Sequence, residues 1–235
     1  MVYIELPGEQ QRRLSFYLAM EEYVARHVSA TDSFFLWQVE PSVIFGRHQV
    51  AGQEVDLDYC RRHGIRVYRR KSGGGCVYAD EQNLMLSYVT RDDHVALAFN
   101  RFVNMLLLVL RRLGVQAVTT RRNDVLIGDR KVSGTACYHL PGCSIVHATL
   151  LYDTDMRHMT HAITPPPGKL REKGIRSVRQ RITLLKDFIP QSLPELRAHI
   201  RSTLCTGTLA LGEADVAAIC RMEQGYLDEE FLHLL

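Results

Sequence analysis

The sequence predicts an α+β fold built on a mixed, mainly antiparallel β-sheet flanked by helices. Three observations carry this prediction. Short β-rich runs come in groups rather than in regular alternation with helices. Residues 124–127 and 131–138 flank Gly128-Asp129-Arg130, which has the composition of a hairpin turn. Longer stretches with helical periodicity frame these groups. At 235 residues, with 46% hydrophobic and 23% charged residues, the chain has a globular composition and the length for one principal core.

Taken in order, residues 14–28 form an amphipathic helix, with Leu14, Leu18, Val24 and Val28 at helical spacing and Glu21, Glu22 and Arg26 among the polar positions. Residues 34–38 and 42–45 are short strands. A helix over 55–63 ends at Gly64, and a strand over 65–68 leads directly into a basic, glycine-rich segment. After a strand over 83–89, Asp93 caps a long helix whose buried stripe is Phe99, Phe102, Val103, Leu106, Leu110 and Leu113, stopped by Gly114. Residues 144–152 add a third strand beside the hairpin. The helical pattern of 154–162 breaks at Pro165-Pro166-Pro167-Gly168, and helices near 193–204 and 213–234 close the chain.

Several classes are excluded. The longest strongly apolar stretch, 105–110, is far short of the roughly 18 residues that span a bilayer, and the N-terminus lacks a basic region followed by an apolar core. No membrane insertion or secretion is expected. Six cysteines without C-x-x-C spacing predict reduced thiols in a cytoplasm. A net charge of +3 argues against a nucleic-acid coat. The basic residues nevertheless cluster: Arg61, Arg62, Arg66, Arg69, Arg70 and Lys71; then Arg121, Arg122, Arg130 and Lys131; then Lys169 to Arg181. Local anion binding is therefore expected.

Two segments concentrate chemistry. In Arg69-Arg70-Lys71-Ser72-Gly73-Gly74-Gly75-Cys76, three glycines remove every Cβ that would keep a ligand from the backbone amides, and the arginines add bidentate donors for phosphate or carboxylate. The spacing is neither that of a P-loop nor that of a Rossmann turn. In Lys131-Val132-Ser133-Gly134, a lysine at a strand start precedes a glycine where the backbone can be approached closely. Each alone has an ordinary reading, as a flexible turn and a solvated lysine. His147 in its apolar strand reads equally as a core histidine, and Asn123-Asp124 as a turn.

Together, the ordered series Gly46-Arg47-His48-Gln49, Arg69-Arg70-x-Ser-Gly-Gly-Gly, Asn123-Asp124, Lys131-Val-Ser-Gly-Thr-Ala, His147 and Lys173-Gly-Ile-x-Ser-Val-Arg179 resembles the lipoate–protein ligase A family over residues 10–190. The resemblance implies a catalytic domain over 1–190 related to class II aminoacyl-tRNA synthetases and biotin synthetases, with 191–235 packed on it as a helical segment. It implies attachment of lipoate to a lysine of a lipoyl domain through lipoyl-AMP, with ATP, Mg2+ and lipoate as cofactors and substrates. Its partners would be lipoyl domains of 2-oxo acid dehydrogenases or the glycine cleavage H protein.

By that resemblance Lys131 is catalytic, contacting the lipoyl carbonyl and the AMP phosphate, and Arg70 binds phosphate. Gly75, Cys76, Val77 and Tyr78 line the nucleotide side through backbone contacts, and Ser72, Gly73 and Gly74 also bind the ligand. Asn123 and Asp124 serve adenine and metal, with Asp124 the metal-side carboxylate. Ser133 and Gly134 line the ligand and His147 lies on the tunnel side. The sequence departs from the family in having Ala79 where histidine is frequent and Ala148 where glycine is usual. Only about 45 residues follow Pro190 in place of an accessory domain. That implies a separately encoded partner chain for activation, or transfer of a preformed acyl group. The alternatives are an octanoyl or lipoyl transferase working through a thioester at Cys76, Cys137 or Cys143, and a non-catalytic binder of lipoyl domains or RNA.

Overall fold

The computed structural model describes residues 1–8, 10–28, 31–120, 124–165 and 182–232. Among these, eight strands form the main sheet: β1 (Val2–Glu5), β2 (Ser33–Trp37), β6 (Asn83–Thr90), β7 (Ala117–Thr119), β8 (Asp124–Ile127), β9 (Arg130–Leu140), β10 (Cys143–Leu151) and β11 (Gly207–Ala210). Their order is β11-β1-β2-β6-β10-β9-β8-β7. The pairs β11–β1 and β1–β2 are parallel and the rest antiparallel, as the mixed, mainly antiparallel sheet requires. A smaller sheet has β3 (Ser42–Phe45) at its centre, parallel to β4 (Arg66–Arg69) and antiparallel to β5 (Val77–Ala79).

The helices are α1 (Leu14–His27), α2 (Ala51–Glu54), α3 (Leu57–Arg62), α4 (Val95–Arg112), α5 (Met156–Ala162), α6 (Leu193–Leu204), α7 (Glu213–Leu227) and α8 (Glu229–Leu232). Side chains alternate across each strand, so the main sheet has two apolar faces. Phe34, Leu36, Leu86, Tyr88, Val146 and Leu150 face α4 and α6. Phe35, Trp37, Met85, Val89 and Ile145 face α1. With both faces covered, β6 and β10 are buried along their whole length.

Helix α1 departs from the amphipathic expectation. Twelve of its fourteen residues are buried, Glu21 and Glu22 included. The cause is α7, which lies on the side of α1 away from the sheet and binds it through Ser15 Oγ to Glu223 Oε1 at 2.6 Å and Tyr23 Oη to Asp215 Oδ1 at 2.5 Å. Asp93 is not the cap of α4. His94 occupies that position, while Asp93 Oδ1 accepts from the Gly142 amide at 3.1 Å. The helix expected over 55–63 is present as Leu57–Arg62, preceded by the short helix Ala51–Glu54, and that over 213–234 breaks at Asp228. The 193–204 helix has the expected bounds, set by a Ser192–Glu195 capping box. Residues 191–235 contribute a strand as well as helices, since β11 extends the main sheet beyond β1. No helix among the described residues is long and apolar enough to cross a membrane.

Phe102 is 1% exposed and stacks on Tyr88 with ring centroids 6.2 Å apart. Phe102→Ala should cost about 3–5 kcal/mol, read as a lower denaturant midpoint at unchanged slope.

Candidate active site

The sheet face under α1 ends in a narrow cleft lined by Leu18, Trp37, Ile44, Val77, Met85 and Ala136 with Arg70, Gly134, His147 and Thr149. Its apolar walls come from α1, the two sheets and the pairing of β6, β9 and β10. Its polar wall is one continuous hydrogen-bonded chain. Arg70 Nε donates to Ser72 Oγ at 2.9 Å, and Ser72 Oγ lies 2.8 Å from His147 Nε2. His147 Nδ1 is 2.9 Å from Glu21 Oε2, and Ser87 Oγ donates to Glu21 Oε1 at 2.6 Å while accepting from Trp37 Nε1 at 2.9 Å. A carboxylate only accepts, so Nδ1 carries a proton and donates it to Glu21.

The glycine loop is shaped from beneath. Arg70 is 5% exposed, and besides Ser72 it donates to the carbonyls of Ile44, Gly73 and Gly75. Burial lowers its pKa to about 10, which leaves it charged at neutral pH. Its fork is thus occupied by the loop itself rather than turned outward toward an anion. Arg69 donates to the carbonyls of Arg47 and Gln49, and Lys71 Nζ pairs with Glu22 Oε1 at 2.6 Å. The Gly46-Arg47-His48-Gln49 segment packs against the loop so closely that a Cβ on Gly46 would meet the Gly74 carbonyl oxygen at 2.3 Å. Gly74 itself has φ +95°, a conformation L side chains rarely adopt.

Lys131 reaches the cleft because β9 carries a bulge. Val125 pairs with Ser133 but Leu126 pairs with Lys131, so Val132 is an extra residue. The slip turns Lys131 onto the face of Gly134 and Asp124. Lys131 Nζ bonds Asp124 Oδ1 at 2.7 Å, and a Cβ on Gly134 would lie 2.4 Å from that Nζ. Glycine there makes the room the ammonium occupies.

Of the candidates, Arg70, Val77, Gly134 and His147 line this cleft, Ser72 bonds Arg70 and His147, Gly73 and Gly75 accept from Arg70, and Lys131 and Asp124 lie beside Gly134. The structure turns two candidate side chains elsewhere. Ser133 is fully buried on the opposite face, across from Val125 and Leu150, and Tyr78 is 1% exposed in the core under the small sheet with Val43, Tyr59 and Ile65. Cys76 lies beside Gln49, its Sγ 3.6 Å from Oε1. Asn123 and the Lys169–Arg181 cluster lie outside the described residues. The sequence reading missed Glu21, Ser87, Trp37, Leu18 and Met85. A lone tryptophan and a glutamate within an otherwise apolar helix turn were the available signals.

The family described as lipoyl protein ligase A/B catalytic domain matches residues 14–203. The chain belongs to this family. It is 38% identical over 191 residues to lipoate–protein ligase 1 of Staphylococcus aureus, an alignment that covers 80% of this chain but 58% of that relative. The bi-partite lipoate protein ligase of Thermoplasma acidophilum, solved in a study with its E2 lipoyl domain, superposes with a TM-score of 0.85 at 29% identity, covering 100% of this chain and 98% of that one. A lipoate–protein ligase A bound with ATP superposes at 0.84 with 25% identity, covering 100% and 99%. The chain thus spans about three-fifths of the first curated relatives it matches.

Within this ligase family chain, no cysteine near the cleft is activated. Burial pushes Cys76 up to about 12, against the opposing pull of Arg70, and Cys137 up to about 11; it raises Cys143 too. All three remain thiols at neutral pH, whereas a nucleophilic cysteine is a thiolate. Cys76 should therefore be alkylated by iodoacetamide at pH 7.5 far more slowly than a free cysteine, with rate still rising at pH 9; peptide mapping by mass spectrometry checks this.

Proposed function

We propose that this chain is the catalytic unit of a lipoate–protein ligase, attaching lipoate to a lysine of a lipoyl domain through lipoyl-AMP. The observation that carries this reading is the Lys131 ammonium, bent over Gly134 where that glycine lines an apolar cleft whose polar wall, Arg70 included, is already satisfied. Such a slot accepts an alkyl chain and leaves its carboxylate beside the ammonium. The high thiol pKa values disfavour a thioester route. Relatives with this fold include a ligase bound with ATP and a bi-partite ligase, which supports ATP as co-substrate and a second chain in activation. Lipoyl domains of 2-oxo acid dehydrogenases or the glycine cleavage H protein are the proposed acceptors. Six free thiols accord with work in the cytoplasm.

In the first half-reaction a lipoate carboxylate oxygen attacks the α-phosphorus of ATP and the bond to the β-phosphate oxygen breaks, releasing pyrophosphate. Lys131 then bridges the acyl carbonyl and the α-phosphate, where a preorganised cation stabilises charge as it develops. In the second, the acceptor amine attacks the acyl carbon and AMP leaves. Asp124 holds the ammonium in place before substrate arrives. The glycine loop beside the cleft is fixed by Arg70, which donates to the Gly73 and Gly75 carbonyls. Among the described residues no cluster of three metal-ligating side chains exists, but Asp124 supplies one carboxylate. That suits Mg2+, which takes one or two carboxylates and the substrate's phosphates. When bound, the ion would offset phosphate charge.

Lys131→Ala should keep the fold and lose transfer from synthetic lipoyl-AMP to an apo lipoyl domain by at least about a hundredfold, followed by intact-protein mass spectrometry. Gly134→Ala should lose activity comparably at unchanged Tm, because its methyl group takes the place of Nζ. In the wild type, transfer from lipoyl-AMP should be robust, while activation from lipoate and ATP should be slow until an accessory chain is added. Wild-type protein that takes octanoyl from acyl carrier protein, and loses this on Cys76→Ser, would instead favour the thiol route.

A further inference from the structure

Three consecutive cations lead into the glycine loop, and the outer two are held by the C-terminal helices. Arg69 Nε donates to the Leu232 carbonyl at the end of α8 at 3.2 Å, and its guanidinium lies 4.5 Å from the centroid of the Phe45 ring. Lys71 Nζ bonds Glu22 Oε1 at 2.6 Å and sits 4.6 Å from the centroid of Tyr226 on α7. Tyr226 Oη donates to the same Glu22 oxygen. Glu22 is 3% exposed, with Arg26 at 3.7 Å as its other cation. Between the two clamped residues, Arg70 sends its guanidinium into the loop, donating to Gly73 and Gly75.

We propose that Tyr226 and Lys71 are positioning residues, by which the α7–α8 pair clasps residues 69–71 and so holds the glycine loop closed over the acyl chain. The claim that this serves lipoyl binding rests on the ligase reading; the clasp on the loop does not. The physics is local. Glu22 is buried, so its charge must be matched, and Lys71 and Tyr226 match it on one oxygen. Burial first, then the Glu22 carboxylate, push the Tyr226 hydroxyl well above its usual range, so it remains a donor throughout the working pH range. Removing that donor leaves Glu22 with one strong partner fewer, and the backbone from Lys71 through Gly75 gains freedom. Lys131, on the other wall, is untouched.

The test uses full-length Tyr226→Phe and Lys71→Met, with Lys71→Arg as the conservative variant, read in two arms. In the first, hydrogen exchange is measured without ligand at the amides of residues 72–76. Exchange should quicken roughly tenfold in the first two variants, the scale of losing one hydrogen bond to a charged group, while β6 and β10 keep wild-type protection. Lys71→Arg should restore most of it. In the second arm, KM for lipoyl-AMP in transfer should rise roughly tenfold at a kcat within about twofold of wild type. Unchanged loop exchange in both variants overturns the clasp. So does exchange that quickens everywhere with kcat falling, the pattern of a merely structural role. Lys71 is partly exposed, and Lys71→Met carries the reading should Tyr226→Phe fail to fold. A wild-type chain that transfers nothing from lipoyl-AMP overturns the ligase reading, and the exchange arm still judges the clasp.

Discussion

A carboxylate taken out of water costs several kcal/mol unless its lone pairs are met by donors, and Glu21 sets that requirement at the centre of the molecule. It is met by Ser87 from β6 and His147 from β10, and these in turn bring in Trp37, Ser72 and Arg70. The series is continuous from Trp37 through Glu21 to Arg70, so displacing one member disturbs its neighbours. The position of the glycine loop relative to the sheet thus follows from how a buried charge on α1 is solvated. The polar groups of the cleft are held for the same reason: they are spent on one another, which leaves its remaining walls apolar.

The chemistry is placed by a second, independent constraint. In a regular ladder Lys131 would share a face with Ser133 and look toward α4. One extra residue in β9 reverses this and leaves Ser133 on the α4 side, where its hydroxyl finds no partner among the described residues. Asp124 then lies opposite Gly134, near enough to hold the ammonium that Gly134 leaves room for. The polar end of the slot is therefore a property of backbone register, and the apolar remainder a property of the core. This division explains how a charged group can adjoin a hydrophobic slot without drawing water through it.

Much of the fold was legible because it rests on local periodicity. The strands 42–45 and 124–127 and the helix 193–204 appear with the bounds their patterns indicate. Strands β1 and β11 were not legible: each is four residues long, and their parallel pairing joins residues about two hundred positions apart. At the site, the sequence named the cations but not their acceptors. Arg69, Arg70 and Lys71 read as donors for an anion, yet the carbonyls of the loop and the carboxylate of Glu22 take them first. Ordinary spacing hid Glu21 and Glu22, since a glutamate on a helix is usually solvated, and it takes the sheet on one side and α7, far along the chain, on the other to remove the water.

Glu21 and Glu22 are neighbours on α1, and successive helical residues point about 100° apart. One therefore faces the sheet and the cleft while the other faces the C-terminal helices, and both can be buried only if α1 is covered on two sides. That double cover makes α1 a rigid spacer between the cleft and α7. It also gives the two glutamates a common neighbour in sequence, since Arg70 and Ser72 close the Glu21 series and Lys71, between them, closes that of Glu22. A shift of the 70–72 backbone cannot relax one network without straining the other. The loop is therefore held by two charges buried on different sides of one helix, a stiffer mounting than either network supplies alone.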